Sequence, residues 1–154
     1  MKRALAACVL VLGVVSLSAQ TDPAVGTWKF NPAKSKYDPG PAPKSTTAVI
    51  TSAGEGRLKV SAKGEAADGS PIGVEYTVAT DRKDVPVKGS PAYDTLSSAR
   101  LDPNTTQQTR KKGGKVVQTA TVAISTDGRT LTVTTTGTDE RGRKISTVAV
   151  YEKQ

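Results

Sequence analysis

Lys115-Val116-Val117-Gln118-Thr119-Ala120-Thr121-Val122-Ala123-Ile124-Ser125-Thr126-Asp127-Gly128-Arg129-Thr130-Leu131-Thr132-Val133-Thr134-Thr135-Thr136-Gly137-Thr138 decides the fold. Threonine and valine dominate it, and their branched Cβ atoms suit a pleated strand better than a helix. Asp127-Gly128 interrupts the run with the pair that tolerates the positive φ angles of a tight hairpin. The stretch therefore reads as two antiparallel strands, 115–125 and 130–138, joined at 127–128.

Working outward, Gly113-Gly114 closes a hairpin onto Thr105 to Lys112, and Arg141-Gly142 leads into a closing strand, Lys144 to Lys153. Gly114, Gly128 and Gly142 recur every 14 residues. That spacing leaves about nine to eleven residues per strand, longer than the usual five or six. Upstream, Gly26 to Phe30, Thr46 to Ser52, Arg57 to Lys63, Ile72 to Val78 and Thr95 to Leu101 continue the pattern, with one short strand around Val85-Pro86-Val87. Asn31 to Lys44 carries Pro32, Pro39, Pro41 and Pro43 and reads as an irregular arm without regular strand or helix. Helical spacing of apolar residues is almost absent from Val25 onward. The expected fold is all-β: an antiparallel up-and-down meander closing into a barrel of about eight to ten strands.

The chain start reads differently. Met1-Lys2-Arg3, an apolar run from Ala4 to Val15 and Ser16-Leu17-Ser18-Ala19 form a secretory signal peptide over residues 1–19, leaving 20–154 as a single domain. Its apolar core is shorter than the about 20 residues of a membrane-spanning helix, so no integral span is expected after cleavage. Leu5-Ala6-Ala7-Cys8 spells a lipoprotein box, but too little apolar sequence precedes Cys8 for that use. The destination is periplasmic or secreted.

Cys8 is the only cysteine and the chain has no histidine. After cleavage the usual zinc, haem and iron–sulfur ligand sets, and thiol or imidazole catalysis, are out of reach. No cofactor, metal or catalytic residue is assigned. Asp68-Gly69, Asp127-Gly128 and Asp139-Glu140 lack calcium-loop spacing and read as turns, and Asn104-Thr105-Thr106 as a coincidental glycosylation acceptor. Removing Lys2 and Arg3 from 22 basic residues leaves 20 against 14 acidic ones, a dispersed net +6. That field favours solubility and anionic partners, and nucleic acid is not expected for an exported chain.

Gly26-Thr27-Trp28, on the first strand, resembles the Gly-x-Trp signature that opens lipocalins and related calycin barrels. Gly26 to Lys36, Gly113 to Val117 and Thr134 to Thr138 also look like a family of exported bacterial hypothetical proteins with no assigned activity. The resemblance implies a lipocalin-like barrel in which Gly26 lets the chain approach closely at closure and Trp28 plugs the closed end. The chain departs from lipocalins in having no C-terminal helix and no cysteines for their disulfide.

Asn104 to Lys112 is polar on both faces, with Thr105, Gln107, Thr109 and Lys111 on one and Thr106, Gln108 and Arg110 on the other. In a closed barrel one row faces the lumen, where polar groups need partners. Other inward candidates are small: Ala62, Val74, Val133, Thr135 and the row Val117, Thr119, Thr121 and Ala123. Small lining leaves room for one ligand. Arg100 and Arg110, with Tyr76 and Tyr151, are the candidate ligand-binding residues, because a planar guanidinium matches a carboxylate and phenols suit a polar headgroup.

The reading is a barrel that binds a small amphipathic or anionic molecule without catalysis. The alternatives are an envelope module with a filled barrel acting through its surface, including Pro39 to Pro43; an enzyme using lumen carboxylates or lysine; and an outer-membrane barrel, which the lysines of Arg57 to Lys63 and the missing aromatic girdles oppose. Expressed with its leader in a bacterium, the protein is expected in the periplasmic fraction with its first residue within about two positions of Gln20. Intact mass of the purified protein checks this, and an uncleaved chain would overturn it.

Overall fold

The computed structural model describes residues 21–154. The signal-peptide reading of residues 1–19 lies outside the described residues. Eleven strands form one antiparallel sheet that rolls into a nearly closed barrel. They are β1 Gly26–Phe30, β2 Lys36–Asp38, β3 Ser45–Ser52, β4 Leu58–Glu65, β5 Pro71–Val78, β6 Val85–Pro86, β7 Thr95–Asp102, β8 Thr105–Lys112, β9 Lys115–Ile124, β10 Thr130–Thr138 and β11 Lys144–Lys153. Their order around the barrel is β5-β4-β3-β1-β11-β10-β9-β8-β7-β6. Sequence neighbours from β3 to β5 and from β6 to β11 pair as hairpins, whereas β1 joins β3 to β11 and β2 pairs with β11. Among the described residues no helix is long and apolar enough to cross a membrane.

The strand count exceeds the sequence expectation because the proline arm is not irregular throughout. Pro32–Lys34 is a short 3₁₀ turn, and β2 follows it. Pro32 stands at the start of that turn, where no backbone N–H is needed, and the Asn31 side chain accepts from the Lys34 amide at 3.2 Å. β2 then pairs with Ser146–Val148 of β11, the same edge on which β1 pairs with residues 151–153. Between the two, Asn31 N–H donates to the Val150 carbonyl at 2.8 Å and the Val150 amide donates to Ser35 Oγ at 2.9 Å. β1 and β2 are thus one strand interrupted by a turn, with a serine hydroxyl standing in for a missing backbone acceptor, and only residues 39–44 of the arm stay irregular.

Closure falls between β5 and residues 81–94, the strap that carries β6. One bridge joins them: Glu75 N–H donates to the Lys88 carbonyl at 3.0 Å and Lys88 N–H to the Glu75 carbonyl at 2.9 Å. Beside it Gly89, at φ +79°, passes so close to Gly73 that a Cβ there would collide with the Gly73 carbonyl oxygen. Only glycine fits both the left-handed backbone and the space.

Two apolar clusters occupy parts of the barrel interior. Trp28, fully buried, packs with Ile50, Ile124 and Leu131 at the end where β1 begins, and its indole N–H donates to the Ala24 carbonyl at 2.8 Å. Gly26 leaves room for the Lys153 side chain, whose ammonium lies 5.1 Å from the Trp28 ring centre. Val78, Tyr93 and Leu96 form the second cluster beneath the strap. Because the indole occupies one end of the barrel with no small side chain able to replace it, Trp28→Ala is expected to lower unfolding stability by about 4 kcal/mol. Urea denaturation measures this, and a loss under about 1 kcal/mol would mean that the ring does not fill that end.

Candidate functional site

Alternation along each strand sends one row of side chains inward, and the rows differ around the barrel. From β3 to β5 the lumen wall is mainly apolar, with Ile50, Leu58, Val60, Ile72 and Val74; on β7, β8 and the start of β9 it is polar, with Ser98, Thr106, Gln108, Arg110 and Gln118. Together they line a cavity of about 560 Å³ that opens beside Pro39, Pro41, Pro43, Ala66 and Ala67, within the range of about 300–1,000 Å³ typical of small-molecule sites. Of the two rows of the doubly polar strand β8, the one that faces inward is Thr106, Gln108 and Arg110.

On β9 the expected inward row is wrong beyond its first member. Gln118, Ala120, Val122 and Ile124 face inward, opposite Arg110, Gln108 and Thr106 on β8 and Gly137, Thr135, Val133 and Leu131 on β10. Thr119, Thr121 and Ala123 face outward. The cause is a bulge where Arg110 pairs with Gln118 and Lys111 with Val116, leaving Val117 as an extra residue packed against the second cluster. One inserted residue shifts the inward row by one for the rest of the strand. Ala62, Val74, Val133 and Thr135 do line the cavity.

The polar groups converge on Arg110. Its Nε and Nη2 donate to Gln108 Oε1 at 3.3 and 3.0 Å, and its Nη1 donates to Gln118 Oε1 at 3.2 Å. The guanidinium lies over the Tyr93 ring, 4.8 Å from its centre. Gln108 Nε2 in turn donates to the Tyr76 hydroxyl at 3.2 Å, and Gln118 Nε2 to the Thr138 carbonyl at 2.9 Å. Both glutamine amides are thereby oriented with their oxygens on the arginine.

Three of the five guanidinium N–H groups are used, leaving one on each terminal nitrogen. All its partners are neutral, and among the described residues Arg110 forms no ion pair. Tyr76, accepting from Gln108, keeps its own O–H to donate. Tyr151 reaches the same lumen from β11, its ring edge-on to Phe30 at 5.6 Å between centres.

Burial pushes the phenols of Tyr76 and Tyr151 upward, with neighbouring tyrosines adding to the rise and the Arg110 charge partly offsetting it. Tyr37, also beside Phe30, is raised by burial. These groups stay protonated donors at neutral pH.

Arg100 lines the same cavity but stands apart from them. It pairs with Thr106, four residues along β8 from Arg110 and so about 13 Å away at the rise of a strand. Its Nη2 meets Asp22 Oδ2 at 2.6 Å and its Nη1 donates to the Pro103 carbonyl at 3.0 Å. Arg100 ties the segment before β1 to the β7–β8 turn, its charge already matched. Tyr76, Arg110 and Tyr151 are brought together; Gly26 and Trp28 sit at the plugged end. The turn acids serve their own turns: Asp68 Oδ1 accepts from Ser70 N and Oγ, Asp127 Oδ1 from the Arg129 amide, and Asp139 from the Arg141 and Arg143 amides.

Sequence reasoning missed Gln118 and Tyr93. Gln118 carried one signal, a lone amide in an otherwise apolar or hydroxyl-bearing strand; Tyr93 lies in a connection with no periodicity to place it.

Comparison with known proteins bears on the fold. The chain matches no protein-family model and no curated protein sequence. Among solved structures it is similar to Rv2717c from M. tuberculosis, at a TM-score of 0.55 and 13% identity, covering 86% of this chain and 93% of that one. It is also similar to EF1p2_mFAP2b, solved bound to DFHBI, at a TM-score of 0.51 and 12% identity, covering 86% and 94%. At such identities the likeness is one of barrel architecture.

The raised phenols set a pH dependence. The unfolded chain releases these protons near the ordinary value of 10.0 and the folded protein only above it. Stability is therefore whole below that pH and falls as pH rises past it. Phenolate absorbance against pH, with and without urea, is expected to show three late-titrating tyrosines in the folded protein only; coincident curves would remove the buried-donor arrangement.

Proposed function

We propose that this barrel binds a small amphipathic anion non-covalently in its lumen, without catalysing a reaction, as an exported protein of the periplasm or extracellular space. The observation that carries the reading is Arg110: a guanidinium inside a cavity, held by two glutamines, with a free N–H on each terminal nitrogen and no acid beside it. Arg110 is half-buried, and a charge drawn partly out of bulk water is better placed when it is paired; an anion entering the lumen supplies that partner. Tyr76 and Tyr151 add donors, so the polar wall offers hydrogens to a ligand rich in acceptors. The β3–β5 wall offers aliphatic surface to its apolar part.

Amides, phenols and one guanidinium suit holding charge more than moving protons at neutral pH, which supports binding without catalysis. Among the described residues the only acid lining the cavity, Asp22, is paired with Arg100. A barrel of similar architecture was solved with DFHBI bound, so the fold has room for a guest. The leader sequence supports export. A filled barrel acting only through its surface fits poorly with a cavity of about 560 Å³.

Native mass spectrometry of the chain from Gln20, compared with its denatured mass, detects a ligand retained from the cell. Titration with anilinonaphthalene sulfonate, an amphipathic aromatic anion, provides a defined probe. Arg110→Ala is expected to weaken its binding by about 10- to 100-fold, the range for a hydrogen bond to a charged group, while Arg100→Ala leaves it unchanged. Equal affinity in wild type and Arg110→Ala, with no retained ligand, would overturn the proposal.

A further inference from the structure

We infer that the guest is a monocarboxylic acid with one aliphatic chain, seated with its carboxylate on Arg110 towards the proline-lined mouth and its chain running down the barrel towards Trp28. This rests on lumen binding itself, and adds to it the class of acid and its direction.

The lumen changes character along its length. On β9 the inward row passes from Gln118 through Ala120 and Val122 to Ile124, and on β10 from Thr135 through Val133 to Leu131. β3 repeats the change from Thr46 to Ile50, and β4 from Ala62 to Leu58. On all four strands the branched aliphatic residues lie at the end where Trp28 packs with Ile50, Ile124 and Leu131. The opposite end carries the charge. Arg110 pairs with Gln118, Gln118 with Gly137 and Gly137 with Ile145; the next residue, Ser146, pairs with Asp38, which adjoins Pro39 of the mouth. From Gln118 to Ile124 the strand covers about 20 Å at its usual rise per residue. Over that depth a cavity of about 560 Å³ is narrow, and a single chain suits it.

The charges select the class. Among the described residues the cavity is lined by two cations, Arg100 and Arg110, and one acid, Asp22. Arg100 and Asp22 meet at 2.6 Å and cancel, so the lumen keeps one positive charge, at Arg110, and one negative charge balances it. A phosphate bearing two charges would bring one with no partner out of bulk water. Arg110 keeps one N–H on each terminal nitrogen, and a carboxylate offers an oxygen to each. The Tyr76 hydroxyl, which accepts from Gln108 at 3.2 Å, has its own hydrogen for a further lone pair. At the Trp28 end the described lining residues carry no unpaired charge, and a carboxylate set among aliphatic side chains is costly. The alkyl chain belongs there instead, because each methylene gains from leaving water.

Trp28 is the chain's only tryptophan, so its fluorescence, excited apart from the tyrosines, reports what reaches that end of the lumen. Straight-chain carboxylates from butanoate to dodecanoate are titrated into the unmutated protein. Affinity is expected to rise about three- to fourfold with each added methylene until the alkyl chain fills the lumen. Decanol is expected to bind about 10- to 100-fold more weakly than decanoate, the range for hydrogen bonds to a charged group. Decanoate brominated at its terminal carbon is expected to quench Trp28, whereas bromine beside the carboxylate leaves the fluorescence as decanoate itself does. The reverse pattern, or equal quenching by both, overturns the direction. Decanol binding as tightly as decanoate, or affinity that does not grow with chain length, overturns the class of acid. If anilinonaphthalene sulfonate binds through Arg110 and no alkanoate binds, the class falls and lumen binding stands; if neither binds, both fall.

Discussion

A sheet must do something with its two edges, and here nearly every other feature follows from rolling eleven strands until the edges meet. Unpaired N–H and C=O rows on an edge invite pairing with other chains, and closure removes them at the cost of enclosing one face of every strand. The enclosed face must then be either filled or lined. The chain's six aromatics are too few to fill it. Trp28 plugs one end, Tyr93 and Leu96 occupy the space beneath the strap, and the remainder is cavity.

Closure also explains the polar wall. A strand polar on both faces cannot hide its polarity in a closed barrel, so β8 presents Thr106, Gln108 and Arg110 to the lumen. The structure contains the cost by internal pairing: Gln108 and Gln118 turn their carbonyl oxygens to the guanidinium, and their amino groups find Tyr76 and the Thr138 carbonyl. Among the described residues no fully buried side-chain nitrogen or oxygen lacks a hydrogen-bond partner. The arrangement satisfies the arginine's hydrogen bonding in part, and its charge meets only the Tyr93 ring and neutral amides. That difference separates a structural arginine such as Arg100, matched by Asp22, from one open to an anion.

The joint that completes the barrel is also its least continuous one. Pro86 and Gly89, each fixed by backbone chemistry, limit the seam to one bridge. Proline at an edge is a common device against strand addition; here the edge faces the barrel's own β5, so the device that blunts an edge also loosens the closure.

Period-two alternation and Gly-containing turns determined the strands: β8, β10 and β11 have the boundaries that the sequence suggests, and the long hairpins are as spaced. Local chemistry was enough because strand propensity and turn type act between residues close in sequence. The short strand β2 was hidden among prolines, since its pairing depends on β11, more than a hundred residues away. The inward face of β9 was equally out of reach, because both its rows carry similar residues and the bulge at Val117 exists only against β8. The sequence also placed Arg110, Tyr76 and Tyr151 among the candidates by residue type. Which arginine would find an acid and which would find only amides was decided by the tertiary structure, because the Asp22–Arg100 and Gln118–Arg110 contacts are properties of register and closure.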